Sequence, residues 1–498
     1  LTAEPFTVES LSAELLALAD AEADEVGLPA GGAWLMVEAR ADDAAGARSH
    51  AERLAEAVGR SLDDADVRFI DEPTALASLW RIREDGAGHS ARFADGTKCW
   101  PGFEDSAVPP ERLGAYLEEL RGLLAEHDMQ GISYGHYGEG CIHLRVGFGI
   151  DGPDGPHRYE RFMSDAADLV VRHGGSLSGE HGDGRSRGPL LARQFSPQLI
   201  GAFAAYRQTW DPSGLLNPRI IVDPPPVTAD LRATARTRLA VVTQQAFSED
   251  GGDFRSAVER CIGIGRCVST QGAAQMCPSY RATPDEQHST RGRARLLQEM
   301  IVGDLATDGW RSTEVRDALD LCLSCRGCVS ECPTGVDMAA YKAEFLDHHY
   351  RRRLRPTSHY SLGWLPVWLK LTARVPRLVN AITQPRVTRR LFSRLAGIAP
   401  SRGIPRVARR TFTRDWRPRP RPDAAHGRVV LWPDTYNDHL TPEVSHAAVR
   451  VLEDAGFEVA VPDRWVCDGL TWHSTGQLGT ARRVLARSLG APELGGDE

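Results

Sequence analysis

Hydrophobic and polar residues follow two different spacings along the first part of the chain. Apolar runs at 34–40, 67–70 and 142–150 predict β-strands. The segments 45–58 and 109–127 carry apolar residues at helical spacing, and the second begins with proline, which is favoured in the first turn of a helix. This order predicts an α+β fold over residues 1–225, with helices on one face of a sheet.

Prolines and cysteines divide the rest of the chain into further segments. Three consecutive prolines at 224–226 cannot continue a helix or a strand, so they predict a linker. Residues 250–350 predict a cysteine-bearing helical domain, and residues 351–425 predict a basic, proline-rich and irregular connector. From 426 to 498 the pattern predicts strand, turn, helix and strand, which is the opening of an incomplete α/β domain.

Composition is that of a water-soluble globular protein, with 42% hydrophobic and 25% charged residues. The sequence contains no run of eighteen apolar residues and shows no basic, apolar leader at its N-terminus. We therefore expect the protein in the cytoplasm, either free or on the inner face of the membrane. The net charge of −8 argues against a general nucleic-acid binder.

Charge is distributed unevenly along the chain. Residues 351–421 contain nineteen Lys or Arg and a single acid, Asp415, and the remainder is acidic. Tryptophans and leucines beside arginines are typical of a segment that lies on anionic lipid, which would give peripheral membrane contact. A solvated connector that docks on the acidic remainder is the alternative, and the prolines favour it because they interrupt any long amphipathic helix.

Seven of the ten cysteines lie between Cys261 and Cys332, and such clustering without a secretion signal indicates metal ligands. Cys322, Cys325, Cys328 and Cys332 form a C-x2-C-x2-C-x3-C-P run, which is typical of a ferredoxin-type 4Fe-4S site. A zinc site is the alternative. Zinc usually takes two separated C-x2-C pairs, so the single run favours iron and sulfur.

The upstream cysteines form a less complete pattern, with Ile264 in the place of a cysteine. Cross-ligation predicts one full cluster, held by Cys322, Cys325, Cys328 and Cys277. A possible second cluster would be held by Cys261, Cys267 and Cys332. Those three could hold a three-iron cluster, a four-iron cluster with an outside ligand, or no cluster at all, as buried structural thiols. A cluster passes single electrons, so it implies a redox partner and a two-electron centre.

Histidine and glutamate recur in two glycine-rich segments, Gly135–His143 and Ser178–Gly184. Two imidazoles and a carboxylate are suitable ligands for a divalent metal with open positions. Such a metal can acidify a substrate hydroxyl while a free histidine removes the proton. From spacing alone, histidines that are merely hydrogen-bonded within glycine-rich loops remain an equal alternative.

These segments resemble the C-terminal domain of FAD-linked oxidases of the vanillyl-alcohol oxidase type. The branch most similar contains D-lactate and D-2-hydroxyglutarate dehydrogenases, with the glycolate oxidase D subunit nearby. The resemblance implies a divalent metal (zinc, manganese or iron) on His136, His143 and Glu180, and a catalytic base at His181, with His173 as the next candidate. It also implies that Asn217, in Leu-Leu-Asn-Pro, touches the flavin, and Glu180 is counted with it among the cofactor-binding residues.

The resemblance continues into a fused branch that joins this oxidase to an iron–sulfur domain. It predicts an FAD-linked oxidase C-terminal (cap) domain at 1–225, an α-helical ferredoxin-like 4Fe-4S domain at 250–350 and the start of an α/β cysteine-rich domain at 426–498. Ile264 is a trait of that branch. Cys467-Asp468-Gly469 replaces its Cys-Cys-Gly, so we expect no cluster there. The FAD-binding domain is expected to precede this sequence, and the piece alone is expected to be inactive.

A 2-hydroxy acid also needs a partner for its carboxylate, and arginine suits this because its planar fork binds carboxylate in a bidentate manner. Arg83 matches an arginine of the resembled family, and Arg145 lies two residues beyond His143, so their side chains are expected to point the same way. We expect Arg83 and Arg145 to bind substrate, whereas Arg81 fits a surface ion pair better.

Together these features predict FAD-dependent oxidation of D-lactate, D-2-hydroxyglutarate or glycolate to the 2-oxo acid. Electrons are expected to pass from the flavin through a 4Fe-4S cluster to a quinone, a cytochrome or another protein. An electron-transfer iron–sulfur module without its own catalysis is the alternative, and the histidine–glutamate pattern disfavours it. A zinc-binding interaction protein is disfavoured by the cysteine run that ends in proline.

Overall fold

The structure of the chain is a computed structural model, and it describes residues 4–62, 65–232, 239, 241–269, 276–303, 306–420 and 424–490. Parts of two predicted domains, at 270–275, 304–305 and 491–498, lie outside the described residues. The chain divides into two compact units. Unit 1 contains Leu1–Arg236 with Ile262–Ile264, and unit 2 contains Thr237–Cys261 with Gly265–Glu498.

Unit 1 is built around a five-stranded sheet in the order β2-β1-β4-β5-β3, whose paired strands are antiparallel. The strands are β1 (Thr7–Ser12), β2 (Ala33–Glu38), β3 (Ser106–Ala107), β4 (Gly131–His136) and β5 (Cys141–Val146). Strands β2 and β5 confirm two of the predicted strands. Strands β1 and β4 were not predicted, because neither alternates apolar and polar residues regularly.

Helices pack on both faces of this sheet. They are α1 (Ala13–Leu18), α2 (Ala44–Ser61), α3 (Pro73–Glu84), α4 (Gly86–His89), α5 (Leu113–Glu126), α6 (Gly155–Arg172), α7 (Gly184–Arg187), α8 (Leu191–Gln194) and α9 (Pro197–Trp210). Ile142 and Leu144 of β5 share a core with α5 and α6. Leu11 and Tyr134 point to the opposite face, where they pack against α1 and α3.

Two expectations for unit 1 were therefore wrong. The first is that helices lie on one face of the sheet. Both faces carry apolar residues, and helices pack against both. The second is the strand at 67–70, which forms no regular element. Val67 and Phe69 are 41% and 46% exposed, so their apolar side chains have no buried face to join.

Unit 2 begins with a helical core that surrounds the cysteines. Its helices are α10 (Phe254–Val258), α11 (Pro278–Ala282), α12 (Thr290–Val302), α13 (Thr313–Asp320), α14 (Gly327–Glu331) and α15 (Met338–His349). Phe254, Leu297 and Phe345 are among the fully buried residues of this core, and Cys267, Cys277 and Cys328 are buried with them. The predicted helical, cysteine-bearing segment therefore has a hydrophobic core.

The basic segment is helical, which corrects the prediction of an irregular connector. It contains α16 (Thr357–Ser361), α17 (Leu365–Thr372), α18 (Pro376–Thr383), α19 (Arg386–Leu395) and α20 (Phe412–Asp415). Proline occupies the first turn of α17 and α18 and directly precedes α19. Because proline is well tolerated at these positions, the prolines separate short helices instead of preventing them.

The last part of unit 2 has the predicted order of strand, helix and strand. It comprises β6 (Arg428–Val430), α21 (Thr435–His439), α22 (Pro442–Asp454), β7 (Glu458–Ala460), α23 (Leu470–Ser474) and α24 (Leu478–Leu489), and β6 pairs with β7 in parallel. Its assignment to a cysteine-rich domain stays a prediction. Among the described residues, no helix has both the length and the apolar character needed to cross a membrane.

Candidate functional site

Three neighbouring strands of unit 1 place one carboxylate and two imidazoles on the same face of the sheet. Tyr134 on β4 lies opposite His143 on β5, and Glu9 on β1 lies opposite His136 on β4. Side chains two residues apart on a strand share one face, so Glu9, His136 and His143 all project from one face. The His143 side chain is 7% exposed and that of His136 is 34% exposed.

Glycine makes the turn between β4 and β5 tight enough to bring the two histidines together. Gly140 has a φ of 70°, and a Cβ there would lie 1.9 Å from the carbonyl oxygen of Val108. Gly135 has a φ of 151°, and a Cβ there would lie 2.7 Å from the carbonyl oxygen of Cys141. Neither position has room for a side chain. Gly135 therefore allows the close approach of β4 and β5, which carry the histidines, and Gly140 allows the turn between them to pass close to Val108.

The second glycine-rich segment is anchored to the sheet by a buried aspartate. Oδ1 of Asp105 accepts the backbone N–H of Glu180 at 3.1 Å, and its Oδ2 accepts the backbone N–H of His181 at 2.8 Å. Oδ2 also accepts the hydroxyl of Ser178 at 2.5 Å. Burial works to raise the pKa of Asp105, but these hydrogen bonds outweigh it and lower the pKa. Asp105 thereby positions Glu180 and His181 beside β5.

The two segments meet at the carboxylate of Glu180. Its Oε1 lies 3.2 Å from Nε2 of His136, 3.3 Å from Nε2 of His143 and 3.4 Å from Nε2 of His181. The rings of His143 and His181 are stacked, with centroids 5.0 Å apart. The structure thus brings together the four residues in which the sequence predicted a metal site and a base.

Two further carboxylates hold the outer nitrogens of His136 and His181. Glu9 lies 2.6 Å from Nδ1 of His136, and Glu104 lies 3.0 Å from Nδ1 of His181. Glu104 is also 3.6 Å from Nδ1 of His143. With Nδ1–H directed at a carboxylate, Nε2 carries a lone pair that is free to bind a metal or to accept a proton.

The Glu104 pair changes the acid–base behaviour of the site. Burial works to raise the pKa of Glu104, but hydrogen bonds and charge from His143 and His181 outweigh it and bring the pKa to about 2. Burial lowers the pKa of His181, but Glu104, Asp105 and Glu180 outweigh it and raise the pKa. His181 is therefore a stronger base than an unperturbed histidine.

The donor set fits a divalent metal. Asp105, His143, Glu180 and His181 offer ligand atoms that all lie within 4.8 Å of one another. Imidazole nitrogen and carboxylate oxygen suit zinc, manganese and iron, and the outer carboxylates are the usual supports of metal-bound histidine. Asp105 is the weakest candidate, since its oxygens already accept four hydrogen bonds. The division of His136, His143, Glu180 and His181 between metal ligands and base stays a prediction.

The predicted substrate arginines have different environments. Arg83 is buried at the end of α3, and its guanidinium lies 2.7 Å from Glu9, which in turn holds His136. Arg145 shares the strand face of His143, and its buried Nε has no hydrogen-bond partner among the described residues. Arg83 therefore acts on the site through Glu9, whereas Arg145 has donor capacity left for a ligand.

Two other predicted residues lie outside the cluster of imidazoles. Asn217 has a φ of 43° in an exposed turn, where the Asp211 carboxylate accepts the backbone N–H groups of Leu215 and Leu216. An exposed, stabilised turn is accessible to a cofactor, so flavin contact stays a prediction. His173, the alternative base, is buried and lies 3.1 Å from Glu119, away from Glu180.

Two cysteine loops of the chain repeat one backbone conformation. In the loop that begins at Cys322, the second and fourth residues that follow, Ser324 and Arg326, have φ of 54° and 59°. In the loop that begins at Cys261, the corresponding residues Gly263 and Gly265 both have φ of 88°. Left-handed residues are rare outside glycine, so their recurrence at equal offsets marks two equivalent loops. Ile264 occupies the position of Cys325.

Contacts around Cys277 favour its thiolate form, whereas burial raises the pKa of Cys328 to about 12. Arg293 is 2% exposed, and its guanidinium lies 3.7 Å from Sγ of Cys277. Burial works to raise the pKa of Cys277, but hydrogen bonds from Tyr280 and Ser279 and the charge of Arg293 outweigh it and lower the pKa. Burial raises the pKa of Cys267, with a smaller contribution from the nearby Cys277 and Cys332.

Comparison with known proteins agrees with this geometry. Residues 2–221 match the family described as FAD linked oxidases, C-terminal domain, and residues 234–336 match the 4Fe-4S dicluster domain. These matches confirm the predicted order of an oxidase C-terminal domain and an iron–sulfur domain. They also support FAD and an iron–sulfur cluster as cofactors.

Among curated relatives, the D-2-hydroxyglutarate dehydrogenase of Escherichia coli (strain K12) is 24% identical over 78% of this chain and 42% of its own length. The D-2-hydroxyglutarate dehydrogenase of Pseudomonas putida is 28% identical over 68% of this chain and 36% of its own length. The Glycolate oxidase subunit GlcD of Escherichia coli (strain K12) is 30% identical over 31% of this chain and 30% of its own length. The matched part therefore spans less than half of each relative.

Sequence reasoning missed three of the carboxylates at the site: Glu9, Glu104 and Asp105. Glu9 lies in the unpredicted strand β1, and Glu104 and Asp105 precede a strand of only two residues, Ser106–Ala107. Isolated acids carry no spacing signal of their own. They become recognisable only when the sheet brings them to the histidines.

Proposed function

The chain joins an FAD-linked oxidase C-terminal domain to a 4Fe-4S dicluster domain, and from this premise we propose that it serves a flavin-dependent 2-hydroxy-acid dehydrogenase. The reaction oxidises a D-2-hydroxy acid to the 2-oxo acid, with an acceptor other than NAD. The observation that carries the proposal is the convergence of His136, His143 and His181 on Glu180. A module that only transfers electrons does not need such a group of side chains.

Oxidation of the substrate alcohol removes the proton of the hydroxyl group and a hydride from the carbon that bears this group. The flavin supplies the two-electron acceptor for that hydride. His181 is the group of this chain that accepts the proton. Its side chain is 48% exposed and its pKa is raised, whereas His143 is only 7% exposed. Glu104 holds Nδ1 of His181, so Nε2, which lies 3.4 Å from Oε1 of Glu180, is the nitrogen proposed to accept the proton.

A divalent ion is proposed to be held by the remaining three groups, His136, His143 and Glu180. The ion would polarise the substrate oxygen and lower the pKa of the substrate hydroxyl. Glu9 fixes the ring of His136, and the buried charge of Arg83 keeps the Glu9 carboxylate in place. The strand ladder fixes His143 directly. Both histidines are therefore oriented before the metal binds, which favours tight binding.

The substrate carboxylate is proposed to pair with Arg145, whose guanidinium lies on the same strand face as His143. A planar guanidinium can donate two parallel hydrogen bonds to a carboxylate and so orient the adjacent carbon. Arg83 fits better as the support of Glu9, although a direct contact with substrate stays a prediction. D-lactate, D-2-hydroxyglutarate and glycolate all present the carboxylate that this arrangement requires.

Cys277, Cys322, Cys325 and Cys328 are proposed to hold the 4Fe-4S cluster. Such a cluster accepts one electron at a time and can pass the electron pair onward in two steps. The buried guanidinium of Arg293 beside Cys277 favours the thiolate form that a ligand must have. The acceptor is proposed to be a quinone, a cytochrome or another protein.

The test uses the flavin-loaded protein, which here means this chain joined to an FAD-binding domain. It measures reduction of an artificial electron acceptor on a panel of D-2-hydroxy acids and their L-enantiomers. We expect turnover with at least one D-acid. Arg145→Ala should lower this activity, mainly by raising the KM for the acid. Bleaching of the flavin absorption by the same acid supports the reaction independently of the acceptor. A protein whose flavin and cluster are reduced only by a protein partner would favour the electron-transfer module instead.

A further inference from the structure

Helices α17, α18 and α19 of unit 2 expose their apolar side chains to solvent. We call residues 365–395 the α17–α19 surface. Its exposed large hydrophobic residues, with fractional exposure, are Trp368 (47%), Leu371 (47%), Val375 (51%), Leu378 (60%), Ile382 (49%), Val387 (81%), Leu391 (61%), Phe392 (44%) and Leu395 (70%). On α19 alone, Val387, Leu391 and Leu395 recur every fourth residue, so they form a stripe along one side of the helix.

On α18 and α19 the opposite, inward side is polar, whereas α17 buries Pro366 and Leu369. The Asn380 side chain donates to the carbonyl oxygen of Val407 at 2.8 Å and accepts the N–H of the same residue at 3.0 Å. Gln384 donates to the carbonyl oxygen of Ile404 at 3.1 Å. Thr383 and Ser393 are buried. This orientation is the reverse of an ordinary surface helix, which buries its apolar side and exposes its polar side.

Positive charge surrounds the exposed apolar side chains. The α17–α19 surface carries seven cations and no acid, namely Lys370, Arg374, Arg377, Arg386, Arg389, Arg390 and Arg394. All but Arg389 are exposed. Along the described residues after Thr357, the first salt bridge is that of Arg410 with Asp415. The charges of the surface are therefore not neutralised by carboxylates of the described parts of the chain.

We propose that the α17–α19 surface lies on an anionic lipid bilayer, with its apolar stripes in the headgroup region and its arginines against lipid phosphates. Exposed leucines flanked by Arg and Lys fit this environment, since apolar burial and attraction to anionic headgroups act together.

A bilayer fits the surface better than a protein partner does. Three separate helices contribute stripes, so the apolar area is spread out instead of forming a single groove for one helix or strand. Trp368 donates its indole N–H to the carbonyl oxygen of Tyr360, which leaves the apolar part of the ring at the surface. Tryptophan in such a position is typical of proteins at the membrane interface.

The test is flotation of the purified full chain with vesicles of neutral phosphatidylcholine, with and without one third of phosphatidylglycerol. We expect binding to the anionic vesicles and little to the neutral ones. Binding should weaken when the salt concentration rises from about 0.1 M to about 1 M, because the screening length falls from about 10 Å to about 3 Å.

Two variants separate the contributions of charge and apolar contact. Arg390→Gln with Arg394→Gln should weaken anionic-vesicle binding by about 30-fold, since each basic residue near the lipid surface contributes about fivefold. Leu391→Gln with Leu395→Gln should reduce binding at both salt concentrations. The matched control is Arg450→Gln with Val451→Gln on α22, where Val451 is 67% exposed. The control should leave binding and thermal unfolding unchanged.

Three outcomes would overturn the proposal. The first is equal binding to neutral and anionic vesicles, and the second is unchanged binding in both α19 variants. The third is concentration-dependent self-association in solution that the α19 variants abolish, without vesicle binding, which would assign the surface to a second copy of the chain. Circular dichroism of each variant separates loss of binding from loss of folding.

Discussion

Oε1 of Glu9 lies 2.6 Å from Nδ1 of His136, although 127 positions separate the two residues along the chain. The pairing of β1 with β4 creates this contact, and the buried guanidinium of Arg83 completes it from the other side of the carboxylate. The histidine at the site is therefore oriented by a carboxylate that is itself held by an ion pair. This arrangement couples the stability of unit 1 to the geometry of its candidate metal site.

Glu9→Gln should weaken both folding and metal binding. The amide leaves the buried Arg83 charge without its partner, which should cost about 3 kcal/mol in the free energy of unfolding. It also loosens the His136 ring, which should weaken metal affinity by about 10- to 100-fold. Chemical denaturation and metal titration of the folded variant measure the two effects.

Glu38→Gln is the matched control for this prediction. Glu38 lies on β2 and pairs with Arg40, whose side chain is 58% exposed. A surface pair of this kind contributes at most about 1 kcal/mol. Equal losses in the two variants, in stability or in metal affinity, would contradict the role assigned to Glu9.

Metal binding and proton transfer should separate by mutation. His143→Ala and Glu180→Ala should lose bound metal and activity together, because each removes a proposed ligand. His181→Ala should keep the metal and lose about 10²- to 10⁴-fold in kcat, because it removes the base. Metal analysis beside steady-state kinetics on the flavin-loaded protein distinguishes the two classes.

The control for the imidazole substitutions is His157→Ala on α6, where the side chain is exposed. It should change neither metal content nor kcat. If His181→Ala also loses its metal, His181 is a ligand and one of the other imidazoles is the base. Full activity in metal-free protein would refute the metal role altogether.

The sequence predicted residues in local motifs better than residues that meet only through the pairing of distant strands. The glycine-rich segments gave a local signal for a site, and the resemblance to FAD-linked oxidases predicted the roles of His136, His143, Glu180 and His181. Glu9 was not identified, because it reaches His136 only through the antiparallel pairing of β1 with β4. Pairing between distant segments depends on the whole sheet, which no short window of sequence contains.

The structure of the basic segment was also predicted only in part. Its prolines were interpreted as preventing helices, although proline is compatible with the first turn, where its missing N–H has no helical partner. The structure uses Pro366 and Pro376 in that position. The sequence could therefore predict the charge and the short length of the helices, but not which side of each helix faces solvent.

The turn between β4 and β5 should tolerate no side chain at its glycine. Gly140→Ala places a Cβ 1.9 Å from the carbonyl oxygen of Val108, at a φ of 70° that disfavours alanine. The turn and the segment that contains Val108 must move apart. We therefore expect a loss of about 1–3 kcal/mol or more in unfolding free energy, with weaker metal binding. Thermal unfolding with metal titration measures both.

The same substitution in an open helical position should have the opposite effect on stability. Gly122 lies inside α5, and a Cβ there would contact nothing within 4 Å. Gly122→Ala should therefore stabilise the protein by about 0.5–1 kcal/mol, because alanine is the better helix former. Destabilisation of similar size in both variants would show that the space at Gly140 is not the cause.

Iron content should depend on Cys325 but not on cysteines outside the proposed clusters. Cys325 occupies the middle of the C-x2-C-x2-C loop, between residues whose φ values are 54° and 59°. Cys325→Ser removes one thiolate of the proposed full cluster, so anaerobically prepared protein should lose about four irons and the matching sulfide. The visible absorption of the cluster should fall in parallel. Cys99→Ala, at a buried cysteine of unit 1, should keep its iron, whereas undiminished iron in Cys325→Ser would contradict the ligand assignment.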